Sequence, residues 1–233
     1  MKKLIIFDVG GTLTDIQNLY LNTNLILLRK RHIIVEGERL QQIILKINEE
    51  WENQFPDFNI IDSTAFFTAK VLKAFSIDSK EEIERYAYEF RNSLDWNKVS
   101  LFDDVHPVIS TLRSSGYKLA TLSNGNDINI HNMVLNNLSL DKSFDFHAYS
   151  SVIGFRKPDA KAYQYVLDFF NVEPEESIMV GDSLSVDIYG ANISKISSVW
   201  LNRYNIKVKL KETNRPTYEI NNLYQLVKVL SFK

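Results

Sequence analysis

Hydrophobic positions fall along this chain in two rhythms, and the rhythms divide it. In the first, short apolar runs with few polar interruptions close on an acid, hydroxyl or amide residue. One such run reaches Phe7 and ends abruptly at Asp8. Four more cover Tyr117 to Ser123, Asp145 to Ser151, Ser177 to Asp182 and Ser197 to Asn202. Runs of this length, bounded by polar residues, read as strands buried on both faces, the habit of parallel sheets. Between them, Val105 to Ser115 has helical periodicity and stops at Gly116. Ala160 to Asn171 sets Ala162, Tyr163, Val166, Leu167 and Phe170 on one helical face. Strands alternating with helices predict an α/β fold: a Rossmann-like parallel sheet with helices on both faces.

The second rhythm is helical throughout. Gln17 to Ile33 carries a stripe of Leu21, Leu25 and Leu28, and Glu38 to Asn53 one of Leu40, Ile43, Ile44 and Ile47. Ser63 to Phe75 repeats at Phe67, Val71 and Phe75. Ser79 to Leu94 repeats at Ile83, Ala87, Phe90 and Leu94, after a Ser-Lys-Glu-Glu opening that can cap exposed helix N–H groups. The expected organisation is an α/β core of residues 1–15 and 98–233, interrupted by an all-helical domain of residues 16–97. These stripes read first as helix-packing core.

Composition narrows the function. Lys plus Arg (27) nearly balances Asp plus Glu (29), which gives no basic excess for nucleic acid. Cysteine is absent, so disulfides, thiolate catalysis and thiolate metal sites are excluded. No signal-like segment precedes the first strand, and no apolar stretch approaches the roughly 20 residues that span a bilayer. The expectation is a cytoplasmic protein that acts on a small-molecule substrate, with no nucleic-acid or membrane partner.

The candidate chemistry sits at the strand ends, where open α/β sheets hold their ligands. Asp8 ends the first strand and is followed by Gly10, Gly11, Thr12 and Asp15. Ser123 and Asn124 end the second. Lys157 follows the third in Gly-Phe-Arg-Lys-Pro-Asp. Asp182 ends the fourth, with Asp187 five residues later. In a parallel sheet all of these converge on one edge. Carboxylates at 8, 182 and 187 suit a hard cation such as Mg²⁺, which shares its shell with water and phosphate. The Ser123 hydroxyl, the Asn124 backbone N–H and the Lys157 ammonium are donors suited to a phosphoryl oxygen.

With those residues in place, the chain resembles the haloacid dehalogenase (HAD) superfamily of hydrolases, in the branch with a helical cap after the first motif. The resemblance runs through DVGGTLTD (8–15), Ser123-Asn124, Lys157-Pro158-Asp159 and GDSLSVD (181–187), followed by Gly190-Ala191. Phe102-Asp103-Asp104 and Gly116-Tyr117 look like the return from cap to core. Four motifs in order make a specific signature where each alone is weak. The resemblance implies that Asp8 is nucleophile and magnesium ligand, with the carbonyl of Gly10 and Asp182 as further ligands. Asp187 would hold the metal's water shell or orient Lys157. Ser123 and Lys157 would steady the reacting groups, and Thr12 and Asn124 would join them around phosphate. The helical domain would act as a lid that excludes water and selects substrate.

Position 10 departs from the pattern. Phosphatases of the superfamily usually carry Asp there, to protonate the leaving oxygen and then activate water. Gly10 can do neither, and such help is worth roughly 10²–10⁴-fold in rate. Dehalogenases of the superfamily also lack that Asp, and Leu122-Ser-Asn-Gly-Asn126 and Tyr163 look like their branch; Arg39 could bind a substrate carboxylate, although Arg39 reads first as a solvated residue and Tyr163 as helix core. Against that reading, they typically replace the acidic pair of the fourth motif with Ser and Asn, whereas Asp182 and Asp187 are intact. The expectation is therefore a magnesium-dependent phosphatase working through an aspartyl-phosphate. A dehalogenase-like hydrolase and a catalytically weak binding protein are the alternatives. A sugar-kinase reading of Asp-Val-Gly-Gly-Thr lacks further glycine-rich loops. His32, His106, His131 and His147 show no metal spacing, and Trp51, Trp96 and Trp200 read as packing residues.

Overall fold

A computed structural model describes residues 2–54, 63–125 and 127–231. The chain forms two compact units. One comprises residues 16–98 with 206–208, the other residues 1–15, 99–205 and 209–233.

The first unit is helical: α1 (Ile16–Lys30), α2 (Gly37–Gln54), α3 (Ser63–Lys73) and α4 (Lys80–Ser93). Its core draws on the stripes seen in the sequence, with Leu28, Leu40, Ile44, Ile47, Val71 and Phe90 all buried. Ser79 caps α4 by accepting a hydrogen bond from the Glu82 N–H at 3.4 Å. Residues 206–208 join this unit, where the Lys207 N–H donates to Glu49.

The second unit is built on six parallel strands. They are β1 (Leu4–Phe7), β2 (Lys118–Ser123), β3 (Phe146–Tyr149), β4 (Ser177–Gly181), β5 (Ser197–Leu201) and β6 (Tyr218–Ile220). Their order in the sheet is β3-β2-β1-β4-β5-β6. The connecting helices are α5 (Val105–Ser114), α6 (Ile128–Asn137), α7 (Ser150–Ile153), α8 (Ala160–Phe170), α9 (Tyr189–Ile193) and α10 (Tyr224–Ser231). Period-two alternation sends β1 to both faces. Ile5 and Phe7 pack with Val108, Leu112 and Leu226 of α5 and α10, whereas Leu4 and Ile6 pack with Ala162, Tyr163 and Val166 of α8. All four are fully buried, which explains the unbroken apolar run. Because the chain leaves β1 to one side for β2 and returns to its other side for β4, the order reverses at β1. Open α/β sheets hold their ligands beyond the strand ends at such a reversal.

Four elements differ from expectation. The third strand stops at Tyr149, because Ser150 and Ser151 begin α7. The Ser150 hydroxyl accepts from the Gly125 N–H and donates to its carbonyl, both at 3.0 Å. An additional strand, β6, is three residues long with Glu219 at its centre, too short and too polar to stand out as an apolar run. Helices α6 and α10 also went unforeseen. Among the described residues no helix is long and apolar enough to cross a membrane.

One buried histidine makes this unit sensitive to acid. His131 on α6 stacks on Tyr149 with ring centroids 4.3 Å apart, and its Nε2 is buried without a hydrogen-bond partner among the described residues. Burial, reinforced by nearby His147, pushes its pKa down from 6.5 to about 4. Between those values the unfolded chain binds a proton that the folded chain refuses. Stability is therefore complete above about pH 6.5 and falls as pH drops toward 4, by up to roughly 3 kcal/mol. Denaturant unfolding across that range should show the loss in the native protein and a shallower slope in His131→Phe. Equal slopes would remove His131 as the cause.

Candidate active site

The end of β1 supplies the centre of the site. Phe7 pairs with Thr121 of β2 and Val180 of β4, so Asp8 stands level with Leu122 and Gly181. Its N–H still donates to the Val180 carbonyl at 2.9 Å, which fixes the residue at the sheet edge. The chain then turns: Leu13 and Thr14 N–H groups both return to the Val9 carbonyl. Gly11 has φ +87°, and a Cβ there would lie 2.2 Å from Asp182 Oδ2. The glycine thus serves twice, by taking the left-handed turn and by letting Asp182 close on the loop.

Three carboxylates meet beyond these strands. Asp8, Asp182 and Asp187 offer oxygens within 4.8 Å of one another. Lys157 lies among them, donating to Asp8 Oδ1 at 2.6 Å and to Asp187 Oδ1 at 2.7 Å, with its side chain almost wholly buried. Burial disfavours the ammonium, but Asp187 and Asp8 outweigh it and hold the lysine pKa above its ordinary value. Burial pushes Asp187 the other way, up to about 6, against the pull of Lys157. Three carboxylates against one ammonium leave two negative charges in a largely buried cluster. Asp8 Oδ2 is buried and has no hydrogen-bond partner among the described residues. Oxygen donors, a residual charge of two and an orphaned carboxylate oxygen together fit a hard divalent cation such as Mg²⁺.

A surrounding layer holds these groups. The Asn124 side chain donates from Nδ2 to the Lys157 carbonyl at 2.8 Å and accepts from the Lys157 N–H at 2.9 Å, gripping the lysine's main chain from the end of β2. Asp187 lies in a π-turn over Leu184–Ile188. Its Oδ2 accepts from the Ser183 N–H at 3.1 Å, and the Tyr163 hydroxyl donates to the carbonyls of Val186 and Asp187. Gly190 leaves room for that phenol, since a Cβ would sit 2.3 Å from it. The Trp200 indole donates to the Asp182 carbonyl at 2.9 Å. Behind the loop, Arg203 makes two 2.9 Å bonds to Asp104, one to the Thr12 carbonyl, and stacks 3.9 Å from Phe102.

The structure thus gathers Asp8, Lys157, Asp182 and Asp187 into one cluster. It sets Ser123 and Asn124 on the neighbouring strand end, and Thr12 in the loop with its hydroxyl buried and without a partner among the described residues. Gly10 is half-buried in that loop. Asp15 stands outside the acid cluster, hydrogen-bonded to Tyr204, whose pKa burial pushes up to about 12 with help from Asp15. Asn126 lies outside the described residues. Sequence reasoning missed Arg203 and Tyr204, placed Asp104 only in the return from cap to core, read Trp200 as packing, and saw Tyr163 as a helix-face residue with a likeness to the dehalogenase branch. Both are buried, yet each also hydrogen-bonds a carbonyl of an acid-bearing segment.

Comparison with known proteins agrees with this geometry. The family model described as haloacid dehalogenase-like hydrolase matches residues 2–193. A glyceraldehyde 3-phosphate phosphatase of Pyrococcus furiosus is 37% identical over 121 residues, and the match spans about half of each chain: 51% of this one and 50% of the relative. The protein of the same name from Pyrococcus abyssi is 29% identical over 212 residues, covering 86% of this chain and 81% of its own. The crystal structure of a HAD phosphatase from Thermococcus onnurineus superposes with a TM-score of 0.59 at 30% identity, covering 99% of this chain and 98% of the other.

The charge balance yields a measurable expectation. Lys157→Met removes the only cation in direct contact with Asp8 and Asp187 among the described residues, and leaves both acids buried. Unfolding free energy should fall by roughly 3–5 kcal/mol at neutral pH. A change below about 1 kcal/mol in chemical denaturation would show that the ammonium does not offset this charge.

Proposed function

This chain belongs to the haloacid dehalogenase-like hydrolases, and from that premise we propose that it is a magnesium-dependent phosphatase of small phosphorylated metabolites. The observation that carries the proposal is the divided state of Asp8: Oδ1 is held by Lys157 while Oδ2 is buried and unpartnered. Asp8, Asp182 and Asp187, with the Gly10 carbonyl, would hold the metal. Bound Mg²⁺ would offset the negative charge of the carboxylates and of the phosphoryl oxygens.

Asp8 supplies the attacking carboxylate oxygen in this reading. It forms a bond to phosphorus as the bond from phosphorus to the leaving oxygen breaks, giving an aspartyl-phosphate. Lys157 uses two of its three N–H groups on carboxylates and keeps one for a phosphoryl oxygen. The Ser123 hydroxyl, the Asn124 N–H and the buried Thr12 hydroxyl supply further donors. Water then cleaves the acyl phosphate, returning Asp8 and releasing phosphate. The helical unit (residues 16–97 in the sequence-based division) would select substrate as a lid, and the enzyme would work in the cytoplasm. Names of the archaeal relatives support a phosphorylated small molecule as substrate.

Gly10 sets the substrate range. Without an acid at that position, leaving groups that need no proton are hydrolysed best. The intact Asp182 and Asp187 favour phosphate over halide, because dehalogenation needs no cation. The purified protein should therefore hydrolyse p-nitrophenyl phosphate in a Mg²⁺-dependent way, and Asp8→Asn should lose at least about 10³-fold. Equal rates for the two proteins, or chloride release from 2-chloropropionate without metal, would overturn the assignment.

Position 10 can be tested by restoring the acid. Gly10→Asp should raise kcat/KM on alkyl phosphates by about 10-fold or more, toward the general acid–base limit, and change aryl phosphate turnover far less. Equal effects on both, with unchanged unfolding behaviour, would refute this account of Gly10.

A further inference from the structure

The helical unit holds a partly open cavity of about 170 Å³ that phosphoryl transfer does not call on. All four helices contribute to its wall. Tyr20 of α1, Phe67 of α3 and Phe90 of α4 form a triangle of rings with centroids 5.3–6.0 Å apart. Trp51 of α2 and Phe66 of α3 add an edge-on pair at 5.2 Å. Large rigid rings pack less completely than the Leu and Ile side chains that fill the rest of this core, and the gap lies between them.

The polar part of the wall is as informative as the rings. Gln17 and Asn48 line the cavity with Tyr20, and the side chains of all three lack hydrogen-bond partners among the described residues. Burial keeps the Tyr20 phenol neutral, with its pKa pushed up to about 12. None of the described lining residues is charged. These half-buried polar groups are open to water, so a ligand that displaces the water must reproduce its hydrogen bonds. The aromatic remainder offers water few partners. The volume matches one six-membered ring, since an apolar cavity of about 150 Å³ admits benzene.

We propose that this cavity is a binding site for a neutral, single-ring aromatic group bearing one or two hydrogen-bonding substituents, of the phenol type. The faces of the ring lie against Tyr20, Phe67 and Phe90, and its substituent exchanges hydrogen bonds with Asn48 or Gln17. None of the described lining residues offers a charged partner to a carboxylate or ammonium group on the ring. The assignment stands apart from the phosphatase reading, because it rests on residues of the helical unit alone.

The test is titration of the full chain with phenol, followed by NMR at the Trp51 indole, which reports on the cavity wall. Binding is expected with a Kd on the order of 1 mM, as befits a ligand of seven heavy atoms. Asn48→Leu, which removes a polar partner and conserves volume, should weaken it by about threefold to tenfold. Phe67→Trp, which fills the space, should abolish it, and benzoate should bind far less well than phenol. No response to phenol at about 10 mM, or equal affinity in the native chain, Asn48→Leu and Phe67→Trp, overturns the proposal.

Discussion

A single buried ammonium governs the architecture of the α/β unit. Lys157 reaches Asp8 at the end of β1 and Asp187 in the turn beyond β4, within 2.7 Å of each. Two carboxylates drawn from different strands could not share so small a buried volume without it. The lysine lowers the cost without cancelling it: with Asp182 included, the group keeps an excess of two negative charges, and Asp187 is pushed up to about 6. The site is thus held short of electrostatic balance by its own residues. That is the condition under which a divalent cation is drawn in, and under which a phosphoryl group meets a field set before it arrives.

Keeping such a cluster in place is the task of neutral groups around it. Asn124 grips both hydrogen-bonding groups of the Lys157 main chain, so the base of the lysine cannot shift along its loop. Tyr163 ties down the π-turn that carries Asp187, and Trp200 ties the carbonyl of Asp182. These restraints act on the backbone and leave the carboxylates available for chemistry. Arg203 and Asp104 work one layer further out. Their ion pair links the loop after Asp8, through the Thr12 carbonyl, to the C-terminal segment, through the Leu223 N–H.

How far this was legible in the sequence follows from the range of each interaction. Strand β1 and its terminal Asp8 were plain, because two-sided burial leaves an unbroken apolar run. Lys157, Asp182 and Asp187 were each recognisable within a local motif, since each lies within a few residues of a strand end. Helices α1 to α4 were legible because their stripes are long. By contrast, Arg203 lies 191 residues from the Thr12 carbonyl that it holds, and no local pattern marks it. Strand β6 draws its identity from pairing with β5, not from its own three residues. The second tasks of Tyr163 and Trp200 were hidden for another reason: a buried aromatic ring looks the same in sequence whether or not its polar atom reaches a carbonyl.

Gly10 belongs within this scheme more naturally than outside it. The loop it occupies is anchored at both ends, by the Asp8 N–H on β4 and by the Thr12 carbonyl on Arg203. Gly11 in the same loop has no room for a side chain against Asp182. The loop therefore holds Asp8 beside the acid cluster whatever stands at position 10, and Gly10 adds no side chain that could carry a proton. Three clustered acids with one ammonium burden the fold unless a bound cation offsets them. In the proposed reaction the glycine thus narrows the leaving group and leaves the attacking carboxylate in place.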